Sequence, residues 1–250
     1  GLGVSATVGS FLNAKEHLVI GAPGIDTIGL VPLPLKEPPE GKPIGVGSGP
    51  MLVIEGPSGS RFGHALSTGP DFEDTTPYGE LLVGFPGHDS AAWLVDPIED
   101  ASAGWDLVDD APGFGTLVLE VPDMNDDGYG ELFVGSPGST GQSPVVLLFS
   151  GWTDEADIRF ESTTQNGSEG LTALVAGRLG RDDAQHLVFG VPGYQGNGAV
   201  FVHAELPSDA GSTIVRPIET APDTRVVNGP PESSFGRAVA VGDIDGDGTQ

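Results

Sequence analysis

Short apolar runs separated by glycine- and proline-rich turns recur along the whole chain. One pattern has three apolar residues followed by Gly, a variable residue, Pro and Gly. Its four copies are HLVIGAPG (17–24), ELLVGFPG (80–87), ELFVGSPG (131–138) and HLVFGVPG (186–193). Pro cannot donate a ladder hydrogen bond, and Gly permits a tight turn. Each copy therefore predicts a strand that ends in a turn.

A second pattern marks the start of each repeat. It is a glycine that usually follows an aromatic or apolar residue, at 2–3, 62–63, 114–115, 169–170 and 235–236. These glycines divide the chain into four units plus the start of a fifth. The predicted units are about 1–60, 61–113, 114–168, 169–234 and 235–250. Repeats of this length predict one architecture built from similar structural units.

Each unit contains four apolar runs, and we expect each run to be a strand. Alternating runs come first, at 64–69, 116–121, 171–177 and 237–242, and the glycine-proline segments follow them. A third run and a weaker fourth run complete each unit; the fourth runs lie at 50–56, 105–108, 156–162 and 213–219. Segments 25–49 and 207–234 are expected to be exposed excursions. Four strands per repeat predict an all-β fold of propeller blades, with a β-sandwich as the alternative.

The charge balance limits the possible partners. The chain has 250 residues, with 36 Asp and Glu against 10 Lys and Arg, for a net charge of −26. Such a surface repels nucleic acid and anionic membranes and attracts cations, although a purely solvating role is the alternative. Cysteine is absent, so disulfides are excluded. No apolar stretch is long enough to predict a membrane span.

The acidic segment DMNDDGYGE (123–131) gives the charge a specific role. Oxygen-bearing groups fall at alternate positions, namely Asp123, Asn125, Asp127, the carbonyl of Tyr129, and Glu131. Ca²⁺ accepts six to eight oxygen ligands, so this spacing predicts a calcium loop. It is not an EF-hand, because the last acid comes at position 9 and strands flank the loop. The alternative is a solvated acidic turn.

Equivalent loops in the other units vary in their ligands. The fifth unit offers Asp243, Asp245, Asp247 and Thr249, and the second offers Asp71, Glu73, Asp74 and Glu80. The first and fourth units carry His17 and His186 where the third has Glu131. Calcium prefers oxygen to imidazole, so these two loops are expected to bind none.

Together, these motifs resemble the FG-GAP repeats of integrin α subunits and of glycosylphosphatidylinositol-specific phospholipase D. The resemblance covers nearly the whole chain and implies four-stranded blades that form part of a seven-bladed β-propeller, with Ca²⁺ loops on one face. This chain departs from the pattern in its final Glu ligands, its two degenerate loops and its number of units. The resemblance implies that missing blades or a second chain would close the ring.

We therefore expect a calcium-stabilised, secreted or extracellular module for adhesion, which binds a protein or carbohydrate ligand without catalysis. The alternative is an accessory propeller of a larger secreted hydrolase resembling that phospholipase D. A third possibility, a propeller enzyme, lacks support because the five histidines are scattered and form no catalytic motif. A sequon at Asn166 would suit a secreted glycoprotein.

Overall fold

The computed structural model describes most of the chain. The described residues are 4–11, 15–34, 52–69, 72, 79–87, 91–95, 104–125, 127–139, 142–151, 155–162, 170–179, 184–204 and 213–243. They form seventeen strands, one 3₁₀ turn at Tyr194–Gly196, and no α-helix. The described residues therefore also lack any helix suited to crossing a membrane.

The strands form four small sheets, numbered here in chain order. Sheet 1 contains β1 (Ala6–Phe11), β2 (Lys15–Ala22), β3 (Thr27–Pro32) and β4 (Leu52–Glu55). Sheet 2 contains β5 (Ala65–Thr68), β6 (Leu81–Phe85), β7 (Ala91–Val95) and β8 (Gly104–Val108). Sheet 3 contains β9 (Leu117–Val121), β10 (Glu131–Ser136), β11 (Val145–Ser150), β12 (Ile158–Glu161) and β16 (Ile214–Pro217). Sheet 4 contains β13 (Ala173–Gly177), β14 (His186–Val191), β15 (Ala199–His203) and β17 (Thr224–Asn228).

Neighbouring strands pair antiparallel in every sheet, except that β16 runs parallel to β12. The second strand of sheets 2, 3 and 4 is buried along its full length. Burial on both faces explains why these strands read as unbroken apolar runs rather than alternating ones. The glycine-proline segments predicted these strands correctly.

The hydrophobic core is divided into three clusters, one for each pair of successive sheets. Phe62 and Phe85 lie in the first cluster, Phe114 and Phe149 in the second, and Phe189 in the third. The first strand of each sheet contacts the first strand of the next, in the order β1, β5, β9 and β13. The all-β prediction is confirmed, and this arrangement is compatible with a propeller-like fold.

Backbone contacts join successive units at the two repeated glycine motifs. A Cβ on the first glycine of the strand motif would meet the carbonyl oxygen of the next unit's leading glycine. The separations would be 2.0 Å for Gly21 and Gly63, 2.1 Å for Gly84 and Gly115, and 2.0 Å for Gly190 and Gly236. The leading glycines have φ values of +81°, +84° and +87°, which disfavour any side chain. Both glycines are therefore needed at these junctions.

The junction between sheets 3 and 4 differs. A Cβ on Gly135 would lie 3.2 Å from Cγ2 of Val146, a side-chain atom of its own sheet. At this junction the close backbone contact is made by Gly170 of unit 4, where a Cβ would lie 1.7 Å from the carbonyl oxygen of Pro137. The fourth unit is also the one that carries Glu-Gly instead of Phe-Gly at its start.

Predictions for four segments were wrong. The segment 25–49 was interpreted as an exposed excursion, but it contains β3, an inner strand of sheet 1 whose Ile28 and Leu30 are fully buried. The run at 213–219 was expected to be the fourth strand of unit 4, but its strand β16 pairs with sheet 3. The fourth position in sheet 4 belongs to β17, within the segment 207–234 that was interpreted as an excursion. Residues 237–242 were predicted to form a strand, but none of them lies in one. Apolar periodicity identifies a strand but not its partner.

Candidate metal centre

The acidic loop of unit 3 connects β9 to β10 and folds around its first aspartate. Asp123 Oδ1 accepts hydrogen bonds from the backbone N–H groups of Asn125 (3.2 Å) and Asp127 (3.3 Å). Its Oδ2 accepts one from Gly128 N (2.8 Å). Gly128 has φ +92°, a conformation that favours glycine. The Asp-Gly step predicted from the sequence therefore makes the turn.

The remaining oxygens of the loop also bind its own amides. Asn125 Oδ1 accepts from Asp127 N at 2.9 Å, and Asp127 Oδ1 accepts from Tyr129 N at 2.9 Å. Asn125 Nδ2 donates to Asp127 Oδ2 at 3.0 Å. Within the described residues, no three His, Asp or Glu side chains converge as a ready metal-binding group. The predicted ligands share one loop, and most of the carboxylate and amide oxygens of Asp123, Asn125 and Asp127 accept hydrogen bonds from its backbone.

Ser150 contacts this loop and was not predicted from the sequence. It ends β11 directly opposite Glu131 in the strand register. Its hydroxyl donates to Asp127 Oδ2 and accepts from Asn125 Nδ2 at 3.1 Å. Its own N–H donates to Asp157 Oδ2 at 2.8 Å. In the sequence, the feature that could have indicated Ser150 is its position as the single polar residue at the end of an otherwise apolar strand.

Glu131 is the most unusual member of the loop because it is fully buried at the start of β10. Its Oε2 accepts a hydrogen bond from Met124 N at 2.8 Å. Its Oε1 is buried and has no hydrogen-bond partner in the described structure. A buried carboxylate oxygen without a partner carries a large desolvation cost. Glu131 Oε1 is therefore available as a ligand for a cation.

The pKa values of Glu131 and Asp127 in this loop shift in opposite directions. Burial, the largest cause, raises the pKa of Glu131 to about 8, and the nearby charges of Asp123 and Asp127 add to this rise. Backbone hydrogen bonding from Met124 and, more weakly, from Asn125 opposes this rise. Burial also raises the pKa of Asp127, but hydrogen bonds from Ser150, Tyr129 and Asn125 outweigh it, so its pKa lies below the ordinary value.

The second unit repeats one part of this geometry. Glu80 Oε2 accepts from Phe72 N at 2.8 Å, as Glu131 does from Met124 N. The other predicted ligands of this loop, Asp71, Glu73 and Asp74, lie outside the described residues. In the fifth unit, Asp243 is exposed, and Asp245, Asp247 and Thr249 lie outside the described residues.

Imidazoles replace the glutamate in units 1 and 4. His17 and His186 are both buried, and their Nδ1 atoms lie 2.8 Å and 3.0 Å from the carbonyl oxygens of Lys15 and Ala184. Each ring therefore forms a local hydrogen bond at the slot where the third unit places a carboxylate.

The loops of successive sheets are also joined through their backbones. Gly79 N, next to Glu80, donates to Ser10 O at 3.1 Å. Gly130 N, next to Glu131, donates to Phe72 O at 2.9 Å. Described residues beside the first connections of sheets 1, 2 and 3 are therefore hydrogen-bonded from one sheet to the next. No protein-family model matches the chain. No curated protein matches it either.

Proposed function

We propose that the chain is a calcium-stabilised β-propeller segment of the FG-GAP type. In this proposal it acts outside the cell as a non-catalytic module for adhesion or ligand binding. The repeated motifs support the family, and the four sheets packed in chain order are compatible with propeller blades. The single observation that carries the metal assignment is the buried, unpartnered Oε1 of Glu131 beside an acidic loop.

A divalent cation suits this position chemically. It would give the buried oxygen of Glu131 a partner and offset the mutual repulsion of the loop acids. Asp123, Asn125, Asp127, the Tyr129 carbonyl and Glu131 would hold it, and an all-oxygen set suits calcium. Its role would be structural, since it would tie β9 to β10 in a chain without disulfides.

One face of sheet 1, which no other described strand covers, supports the proposal that further blades or a second chain complete the ring. Val8, Leu18 and Val31 are aligned across β1, β2 and β3 on this face. Val8 is 50% exposed, and the other two are partly exposed. A continuous row of partly exposed apolar residues is typical of a surface that another element covers.

Thermal unfolding with Ca²⁺, with Mg²⁺ and with EDTA tests the metal assignment. At 100 times the dissociation constant, Ca²⁺ should add about 2.7 kcal/mol to the free energy of unfolding. The variant Glu131→Gln keeps the side-chain shape but lacks the charge, so it should lose most of that increment. The control Glu55→Gln removes an exposed acid on β4 and should keep it. An increment that is absent in the wild type, or unchanged in Glu131→Gln, contradicts the proposal.

A further inference from the structure

Residues 213–223, called the strap here, cross from unit 4 to the outer edge of sheet 3. The strap contains β16, the single parallel strand among the described pairs. Ile214 N donates to Asp157 O at 2.8 Å, and Ile218 N donates to Glu161 O at 2.9 Å. The strap therefore covers the backbone edge of β12, which would otherwise be open to pairing.

Buried contacts hold the strap in place just after β16. Ile218 is fully buried in the core between sheets 3 and 4. Glu219 is 8% exposed and accepts a hydrogen bond from the hydroxyl of Ser162. On the sheet 4 side, His203 Nε2 lies 2.9 Å from the carbonyl oxygen of Ile218. His203 therefore links the strap to β15.

The surroundings of His203 fix its protonation state. Its ring is 1% exposed and contacts Phe160 and Phe189 edge to face, with centroids 5.6 Å and 5.1 Å away. A carbonyl oxygen only accepts hydrogen bonds, so the bond to Ile218 assigns the proton to Nε2. Nδ1 is buried and has no hydrogen-bond partner in the described structure. A second proton there would add a charge and an unsatisfied donor.

Three charged groups act on the ring from the strap. Arg216 and Asp223 form an ion pair with each other, and Glu219 lies beside Ile218. Burial, the largest cause, lowers the pKa of His203. The Ile218 carbonyl, Asp223 and Glu219 raise it, and Arg216 lowers it. The net result is a pKa below the ordinary value, so the acids do not compensate for burial of the imidazolium.

We propose that His203 is an acid-sensitive latch, whose protonation loosens the strap and uncovers the edge of β12. When the strap opens, the ring is exposed and its pKa returns to about 6.5. The closed state is therefore fully favoured above that value. It weakens as pH falls below it, by up to about tenfold per pH unit until the folded pKa is reached.

Hydrogen exchange at the amides of Ile214 and Ile218 tests the latch in the intact chain. After correction for intrinsic rates, their protection should fall by up to about fivefold between pH 6.5 and 5.5. The variant His203→Gln cannot titrate in this range, so its protection should be independent of pH. The control His186→Gln, at a buried histidine of β14, should keep the wild-type response.

Constant protection in the wild type, or an unchanged pH response in His203→Gln, would overturn the latch. Should His203→Gln fail to fold, the wild type still decides the question through NMR. The loss of Ile218 amide protection is expected to begin near pH 6.5, whereas the ring of the closed state is expected to titrate only at lower pH, where the loss levels off. A closed-state ring that titrates at or above pH 6.5 would overturn the proposal as well.

Discussion

Replacing Gly84 by alanine places a methyl group where sheets 2 and 3 meet backbone to backbone. The new Cβ would lie 2.1 Å from the carbonyl oxygen of Gly115, and real Cβ atoms essentially never come within 3.0 Å of such an atom. The two sheets would have to separate by roughly 1 Å, which forfeits up to about half of the dispersion energy at the affected contacts. We expect a loss of about 3 kcal/mol in the free energy of unfolding.

The matched control is Gly135→Ala, at the same motif position in unit 3. Its Cβ would meet Cγ2 of Val146 at 3.2 Å and Cβ of Leu117 at 3.3 Å, so adjustments of a few tenths of an ångström in the Val146 side chain and at Leu117 relieve both contacts. Alanine also restricts the unfolded chain, which offsets part of the cost by about 0.4–1 kcal/mol. We expect this variant to lose less than about 1 kcal/mol.

Equilibrium urea unfolding, followed by tryptophan fluorescence, measures both variants. Trp93 is a suitable reporter because its ring packs against Phe62 and Phe85 in the core between sheets 1 and 2. The slope against urea must match the wild type for the free energies to be compared. If Gly84→Ala loses no more stability than Gly135→Ala, the backbone contact does not set the sheet spacing and the reasoning fails.

Two further predictions concern charged side chains. Arg159 bonds Asp109 at 2.7 Å and Glu161 at 2.6 Å, so Arg159→Met should cost about 1 kcal/mol at low salt. Salt screens these ion pairs, so the loss measured by urea unfolding in 1 M salt should be smaller. A loss that does not depend on salt would contradict the electrostatic explanation. Burial, the larger cause, and the charge of Arg61 lower the pKa of His64 in the folded protein. The contribution of neutral His64 to the free energy of unfolding is therefore full above pH ~6.5 and decreases as the pH falls toward the lower folded pKa. Arg61→Gln should raise this pKa in an NMR titration, and an unchanged value would contradict the assigned cause.

Local patterns in the sequence predicted the strands and the turns well. The repeated motif located β6, β10 and β14, because burial on both faces leaves an unbroken apolar run ending at Gly and Pro. Loop spacing also assigned Glu131 as a calcium ligand, and that assignment stays a prediction. The strands and turns depend on residues close together in the chain, so periodicity and turn chemistry were sufficient.

Contacts between distant segments could not be predicted in the same way. The run containing Ile214 reads as an ordinary fourth strand, yet buried Ile218 draws it to sheet 3. Ser150 reaches the acidic loop because β11 pairs with β10 in one particular register. The burial of Glu131 depends on the neighbouring elements. The order and register of the strands determine the position of β16, the contact of Ser150 and the burial of Glu131. Apolar periodicity predicts neither the order nor the register.

The glycine junctions between sheets also bear on how such a chain can lengthen. At three of them, a glycine lies beneath a carbonyl oxygen of the following unit, so the contact uses main-chain atoms that every residue possesses. A duplicated unit that keeps its two glycines would dock on its neighbour without evolving matched side chains. Internal gene duplication could thus extend the protein first, and the surrounding side chains could diverge afterwards.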